Sequence, residues 1–576
     1  MKKIYRVNMT DLKVKEEPLA REYERLGGRG LTSSIVAKEV PAASHPLGSE
    51  NKLVYAPGLL GGTSAASSGR LSVGAKSPLT GGIKESNAGG TAAHKLARLG
   101  IAAIVVEGKS SGDTAYVLKV SSEGVELVPA ADLKSLGNYE LVERLRKRFG
   151  KDISCISCGP AGEMLMSAAS IAVTDREGRP TRHAGRGGMG AVMGSKKLKA
   201  IVVDDSATSA VKPKNREAFT SAARVFTKAL GEHEITSVTL PKYGTNVCAN
   251  LIQEVGAYPT RNFSTGEYED VDKISGETQR DVILERGGIA THACLPGCKI
   301  SCSRIWVDKN GNYVTKGPEY ETIWANGANC GINDLDAIAT MDRLYDDYGI
   351  DTIEMGVTIA VAMEAGVKKF GDAQGAIELI KEVGKGTPLG RILGNGAAVT
   401  GQAFGVSRVP VVKRQGLPAY DPRSIKGQGV TFATSPMGAD HTAGYVVSRN
   451  VFKIGGDIDP LTTEGQAEAS REMQISAALI DSLGLCLFVT FATDDKPEAW
   501  EAVRNMVNAL YGWNLTEEDF QKLGKSILST EVDFNRRAGF CDTDDRLPYF
   551  FKTEKLPPHN SVFDVSDKDL DGVLKF

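Results

Sequence analysis

The sequence predicts an α+β protein, with a β-sheet-rich N-terminal domain followed by two mainly α-helical domains. Three observations predict it. Short apolar alternations, broken by Gly, Ser and Pro clusters, fill the first 205 residues. From about residue 216 the apolar spacing becomes helical. Much of the glycine, 64 residues in all, lies early, in runs such as Gly27-Gly28, Gly61-Gly62, Gly89-Gly90 and Gly185-Arg186-Gly187-Gly188.

In the first domain, 1–205, strands are expected over Lys52–Ala56, Ile101–Glu107, Tyr116–Val120 and Ala200–Val203, and a charged helix over Leu141–Phe149. The glycine runs imply positive φ or close approach to something bulky; a turn-rich β domain without a ligand is the plain alternative. The polar, aperiodic stretch Asp204–Asn215 marks the first boundary. In the second domain, 206–415, Asn333–Tyr348 carries Leu335, Ile338, Met341, Leu344, Tyr345 and Tyr348 at helical spacing. Asn333 is placed as its N-cap and Gly349 just past its end. Asp351 then caps a second helix, with Glu354 in a capping-box position. The Pro-, Gly- and base-rich segment Val409–Gly429 reads as an irregular connection and holds the second boundary. In the third domain, 416–576, Thr463–Leu483 is a long helix closed by Gly484. No repeat at a fixed period is visible.

Composition bounds the function. With 41% apolar and 24% charged residues the chain is an ordinary globular protein. A net charge of −2 supplies no bulk attraction to nucleic acid or anionic membrane. The opening MKKIYRVNMTDLKVKEE lacks an apolar h-region, and no run of about 18 apolar residues occurs. A cytoplasmic protein without membrane insertion is expected. Nine cysteines, an odd number without a secretory signal, argue for metal or redox use over a disulfide framework.

The sharpest local signal is Cys294-Leu-Pro-Gly-Cys298-Lys-Ile-Ser-Cys302. Three thiols on a Pro-Gly loop can wrap a metal centre, and Cys486 is available as a fourth ligand for one [4Fe–4S] cluster. Zinc prefers paired C-x₂-C ligands, and a radical-SAM site spaces its thiols differently; simple buried thiols are the remaining alternative. Cys155-Ile-Ser-Cys158 does have the C-x₂-C spacing, but its apolar neighbours read as a strand, so core thiols are expected there.

Asp346-Asp347-Tyr348-Gly349 and Asp481-Ser482-Leu483-Gly484 each place an acid in the last turn of a predicted helix. The helix dipole disfavours negative charge there by about 0.3–1 kcal/mol. Each carboxylate is therefore expected to face a donor: the N–H groups of a ligand such as a pterin, or else solvent or a lysine.

These motifs, with Gly27-Gly-Arg-Gly-Leu31, Gly69-Arg70, Ala75-Lys-Ser-Pro-Leu-Thr-Gly81, Ser86-Asn-Ala-Gly-Gly90, Gly159-Pro-Ala-Gly-Glu163, the 185–196 run, Gly317-Pro-Glu-Tyr-Glu-Thr322 and Gly438-Ala-Asp-His-Thr442, resemble the aldehyde:ferredoxin oxidoreductase family of tungstopterin enzymes. The resemblance runs from the first residues to about 550. It implies a tungsten (or molybdenum) bis-pterin cofactor without a protein ligand to the metal, seated on the N-terminal domain, and magnesium bridging the pterin phosphates. Asp346, Gly349 and Asp351, and Asp481, Gly484 and Leu485, match the two pterin-holding motifs. Arg70 matches the arginine between cluster and pterin. Asn87, Gly89, Arg186, Gly187 and Gly188 match loops that approach pterin and phosphate. Glu321 matches the acid near the metal, preferred over Glu319, and His441 the histidine there. The implied reaction interconverts an aldehyde and its carboxylic acid, with electrons passing to ferredoxin or a polyferredoxin-like small subunit. The alternative on the same cofactor is the catalytic subunit of a low-potential reductase complex, such as one for aromatic-ring reduction. A cluster scaffold without pterin is the non-enzymatic alternative.

The sequence also departs from the family pattern. Three residues, not two, separate Cys294 from Cys298, and no histidine has Glu three positions before it, so a bridging iron of the Glu-x-x-His type is not expected. The short stretch after Leu547-Pro-Tyr-Phe leaves a dimer or a hetero-oligomer open.

Overall fold

The structure is a computed structural model and describes residues 2–576. Its N-terminal part holds two six-stranded sheets. The first is built from β1 (Lys3–Asn8), β2 (Lys13–Pro18), β3 (Leu53–Pro57), β4 (Leu71–Lys76), β5 (Ile83–Ala88) and β6 (Ile101–Glu107) in the order β2-β1-β6-β3-β4-β5. The second is built from β7 (Tyr116–Ser121), β8 (Gly124–Pro129), β9 (Ser154–Cys158), β10 (Ile171–Val173), β11 (Arg182–Ala184) and β12 (Leu198–Val203) in the order β8-β7-β12-β9-β10-β11. The two orders are the same plan. Each begins with a hairpin, pairs its first strand in parallel with its last, and otherwise runs antiparallel. This duplication escaped the sequence because it lives in strand order, not in a fixed period. The four strand segments expected there are present, and β3, β4, β9 and β12 are buried at every position. Cys155 and Cys158 lie in β9 as buried core thiols, as expected. The charged helix runs over Asn138–Phe149.

Beyond Asn215 the chain is mainly helical. A helix over Arg216–Glu232 opens this part, with the Asn215 side chain accepting from the Ala218 N–H. A small sheet of β13 (Ile289–His292), β14 (Ser303–Val307) and β15 (Tyr313–Lys316) interrupts it, and the cysteine loop joins its first two strands. Helices Tyr320–Asn326, Leu335–Tyr348 and Thr352–Glu364 follow.

Several local expectations need correction. Asp334, not Asn333, caps the Leu335–Tyr348 helix; its carboxylate accepts from Asp336 and Ala337 N–H at 2.9 and 3.1 Å. A carboxylate there also meets the positive end of the dipole. Asn333 instead donates to Asp270 at 2.6 Å. Asp351 caps its helix, but Glu354 makes no capping box. It is fully buried and accepts from Ala397 and Gly416 N–H at 3.0 and 2.8 Å. The third long helix starts at Gln466 rather than Thr463 and ends at Leu483. The segment 409–429 is less irregular than expected. It contains a ladder of β16 (Val411–Val412) with β17 (Gln415–Gly416) and the start of a helix at Lys426. Three of its four bases are neutralised in place: Lys413 pairs with Asp545 at 2.6 Å, Arg423 with Asp421 at 2.7 Å and Lys426 with Asp564 at 2.6 Å. Among the described residues no helix is long and apolar enough to cross a membrane.

Candidate active site

The duplicated sheets create two equivalent seats. In each, the end of a helix drops onto the glycine that follows the central strand. After β3, Gly58 lies so close to the second Asp-x-x-Gly motif that a Cβ would meet the Gly484 nitrogen at 2.1 Å. After β9, Gly159 stands in the same relation to the first motif, where a Cβ would meet the Tyr348 carbonyl oxygen at 2.3 Å. Gly484 and Gly349 both adopt the left-handed conformation, φ 74° and 71°, that ends each helix. Backbone bonds fasten the contacts. Leu59 N–H donates to Ser482 at 3.1 Å and Arg70 N–H to Gly484 at 3.1 Å. Ser170 N–H donates to Gly349 at 2.9 Å and Asp351 N–H to Ala168 at 2.9 Å.

The two acids carry different charge environments. Asp346 is buried, and its Oδ1 faces Lys316 Nζ at 2.8 Å and His183 Nε2 at 3.1 Å. Burial alone raises a carboxyl, but Lys316 and His183 outweigh it and hold Asp346 below the usual range. Asp481 has only Arg29, at 3.5 Å and already paired with Glu531 at 2.8 Å. Burial pushes its carboxyl up to about 6 against the pull of Arg29 and Arg70.

Ser67 ties the cysteine loop to Cys486. Its N–H donates to Gly297 at 2.9 Å, its hydroxyl accepts from Lys299 N–H at 3.1 Å, and its carbonyl accepts from Cys486 N–H at 2.9 Å. The loop 294–302 and Cys486 are thus pinned to one residue of the N-terminal part. Hydrogen bonding from Cys294 holds the Cys298 thiol below its usual range, and burial pushes Cys486 up to about 11. Burial raises the Cys302 thiol well above its ordinary value, and Glu319, Cys294 and Cys486 lie near enough to add to that shift. Among the described residues no three His, Cys, Asp or Glu side chains converge on a single-ion site. Arg70 lies between these thiols and Asn87: it donates to the Asn87 side chain, and a Cβ on Gly89 would stand 3.5 Å from Cys294 Sγ and 3.7 Å from Arg70 Nη1.

Glu321 and His441 meet across the helical part, with Glu321 Oε1 3.6 Å from His441 Nε2. Both are recessed, at 13% and 18% side-chain exposure. Glu321 Oε2 accepts from Ala419 N–H at 3.0 Å; Oε1 and His441 Nδ1 are buried without a hydrogen-bond partner. Burial raises the Glu321 carboxyl above its ordinary value, with His441 and the Ala419 N–H pulling it back. Tyr420 and Tyr445 flank the imidazole, with centroids at 6.2 and 6.5 Å. An orphaned carboxylate oxygen facing an imidazole is a proton acceptor beside a proton donor. Glu319 faces elsewhere. It accepts from Thr245 Oγ1 at 2.8 Å and lies 3.9 Å from Arg182.

The remaining predicted cofactor residues are packed within the protein. Arg186 donates to Asp351 at 3.1 Å and to the carbonyls of Ala439 and Gly416 at 2.7 Å each. Arg186 and Asp351 therefore satisfy each other. Gly187 and Gly188 have φ of 83° and 78°, and a Cβ on Gly187 would meet Lys84 Cγ at 2.5 Å. Sequence reasoning missed Ser67, Lys84, His183, Lys316 and Asp440. Only Asp440 carried a signal, as the neighbour of His441.

Paired seats, gathered thiols and an orphaned acid–imidazole pair define the class: a cofactor-dependent oxidoreductase. Residues 4–205 match the family described as aldehyde ferredoxin oxidoreductase, N-terminal domain, and residues 221–575 match aldehyde ferredoxin oxidoreductase, domains 2 and 3. The chain belongs to the aldehyde ferredoxin oxidoreductase family. The tungsten-containing aldehyde ferredoxin oxidoreductase of Pyrococcus furiosus is 38% identical over 577 residues, covering 96% of this chain and 91% of that protein. Its Pyrococcus abyssi counterpart is 37% identical over 584 residues, covering 96% and 92%. A more distant relative is the aliphatic sulfonate oxidoreductase, WOR-like subunit, of Pyrococcus furiosus, 26% identical over 605 residues and covering 96% and 90%. Among solved structures, the active-site complex BamBC of benzoyl coenzyme A reductase with 1,5-dienoyl-CoA superposes with a TM-score of 0.81, covering 99% of this chain and 92% of that one. At 19% identity that likeness shows the fold.

Proposed function

We propose that this chain interconverts an aldehyde and its carboxylic acid on a tungsten bis-pterin cofactor. Electrons pass through one [4Fe–4S] cluster to ferredoxin or a dedicated iron–sulfur subunit, in the cytoplasm. The observation that carries the reading is the recessed Glu321–His441 pair, in a chain that also ties Cys486 and the loop of Cys294, Cys298 and Cys302 to Ser67. Asp346 and Asp481 would hold the two pterin rings. Arg70 and Asn87 would lie between pterin and cluster, and the Gly89 and 187–188 turns beside the phosphates and their magnesium. Tungsten, the metal in the names of the similar proteins, is favoured over molybdenum. When bound, the metal centre supplies the two-electron redox step.

The oxidation adds a water-derived oxygen and releases two electrons and two protons. Glu321, deprotonated, accepts a proton through the oxygen that no other group bonds. His441 Nε2 points to the same place and donates to the substrate oxygen. The tyrosines behind it exclude water from that face.

Anaerobic purification with elemental analysis and a viologen-linked assay over an aldehyde panel tests the reading. About four iron atoms per chain are expected together with tungsten. Glu321→Gln should abolish turnover and keep tungsten; full activity in that variant would refute the role. The second reading on the same cofactor is a low-potential reductase subunit, a function that the shared fold of benzoyl-CoA reductase can also carry. Such a subunit would leave aldehydes untouched and co-purify with further chains. Iron without tungsten or molybdenum would mark a cluster scaffold.

A further inference from the structure

Lys84, the second residue of β5, is 1% exposed. Its Nζ donates to Asp440 Oδ2 at 2.9 Å and to the Met437 carbonyl at 3.4 Å. The other Asp440 oxygen accepts from Thr442 N–H and Oγ1 at 3.1 and 2.9 Å, capping the single turn His441–Ala443. The same loop is fastened from two more sides. Arg186 Nη1 and Gln415 Nε2 both donate to the Ala439 carbonyl, at 2.7 and 2.6 Å, and Asn535 Nδ2 donates to Pro436 at 2.8 Å. Gly187 leaves the room that the Lys84 stem occupies, since a Cβ there would stand 2.5 Å from Cγ. Asp440 Oδ1 lies 3.9 Å from His441 Nδ1, beyond hydrogen-bond reach, so Asp440 holds the turn rather than the ring.

A buried ammonium calls for a reason, because taking a charge out of water is unfavourable unless it is well paired. We infer that Lys84 is a positioning residue for His441: through Asp440 it fixes the turn that aims Nε2 at Glu321. The inference rests on the proposed role of His441. The N-terminal sheet thereby contributes to the orientation of a side chain carried more than three hundred residues later.

Four variants of the holoenzyme test it: Lys84→Met, Lys84→Arg, Asp440→Asn and the Lys84→Met/Asp440→Asn pair. Misplacing a reacting group by an ångström is enough to lower a rate by about a hundredfold. Lys84→Met should keep iron and tungsten, lose at least about tenfold in kcat, and change KM for the aldehyde less than about twofold. Carbethoxylation of His441 by diethyl pyrocarbonate, read by peptide mass spectrometry, should quicken severalfold as the turn loosens. Lys84→Arg should restore most of kcat. Because both residues act on one turn, the double variant should be no slower than the worse single one. If Lys84→Met does not fold, the double variant, which leaves no unpaired charge, carries the same readouts. Near-normal kcat with unchanged His441 modification, loss of metals, or multiplying losses in the pair would each overturn the inference. His441→Asn separates the two levels. If it stays active, the proposed function of His441 fails; if it is inactive while Lys84→Met is normal, only the role of Lys84 fails.

Discussion

Glu319 and Glu321 stand two residues apart and face different chemistry. On a strand they would share a face; here Glu319 is the N-cap of a helix and Glu321 lies in its first turn, so they point apart. Glu319 looks toward Arg182 and the thiols, Glu321 toward His441. The family spacing favoured Glu321 over Glu319, and of the two it is Glu321 that faces His441. As the proposed base, Glu321 would act only when deprotonated, so activity should fall as pH drops through its pKa. Burial raises that value, which places the acid limb of kcat/KM above the ordinary glutamate range of about 4.3. A pH profile with a dye acceptor checks this; a midpoint at or below that range would contradict it. The partners of the two motif aspartates were not legible. Lys316, His183 and Arg29 reach them from strands and helices far away in sequence, and nothing in local spacing marks such a meeting.

The helix ends were the most readable elements, because a stop needs a residue that tolerates positive φ, and Gly349 and Gly484 mark both. Helix starts read less well. Asn333 and Asp334 are both good caps, and spacing alone does not choose between them. What no periodicity shows is where a helix end lands. Gly58 and Gly159 are needed because helix-end backbones press against them. Gly58→Ala should therefore destabilise the chain by about 1–3 kcal/mol and reduce tungsten retention. Gly231→Ala, in a helix where a Cβ would meet nothing within 4 Å, should be neutral or slightly stabilising. Thermal unfolding of the two variants side by side, with metal content, decides it; a harmless Gly58→Ala would show that the backbone contact can relax.

At the scale of the molecule, the β-then-α division was readable from the change of period, and the duplicated sheets were not, since equal strand order leaves no equal spacing. Ser67 shows the same limit. It sits in a Ser- and Ala-rich stretch without distinguishing mark, yet it bonds segments from both later parts of the chain. A cluster held there would tie three distant segments, so its loss should loosen the whole. Cys486→Ala is expected to lower iron to well under the native content per chain and to drop the unfolding temperature, while far-UV circular dichroism stays unchanged. Full iron in that variant would remove Cys486 from the ligand set.

The twin seats differ at one more place. Five residues after Asp481 stands Cys486, among the gathered thiols; five residues after Asp346 stands Asp351, closed off in an ion pair with Arg186. If the proposed cluster and pterins are bound, the symmetric socket has one conducting flank and one insulated flank. Charge would then pass the proposed cofactor by one flank only, outward when the aldehyde is oxidised and inward when the acid is reduced.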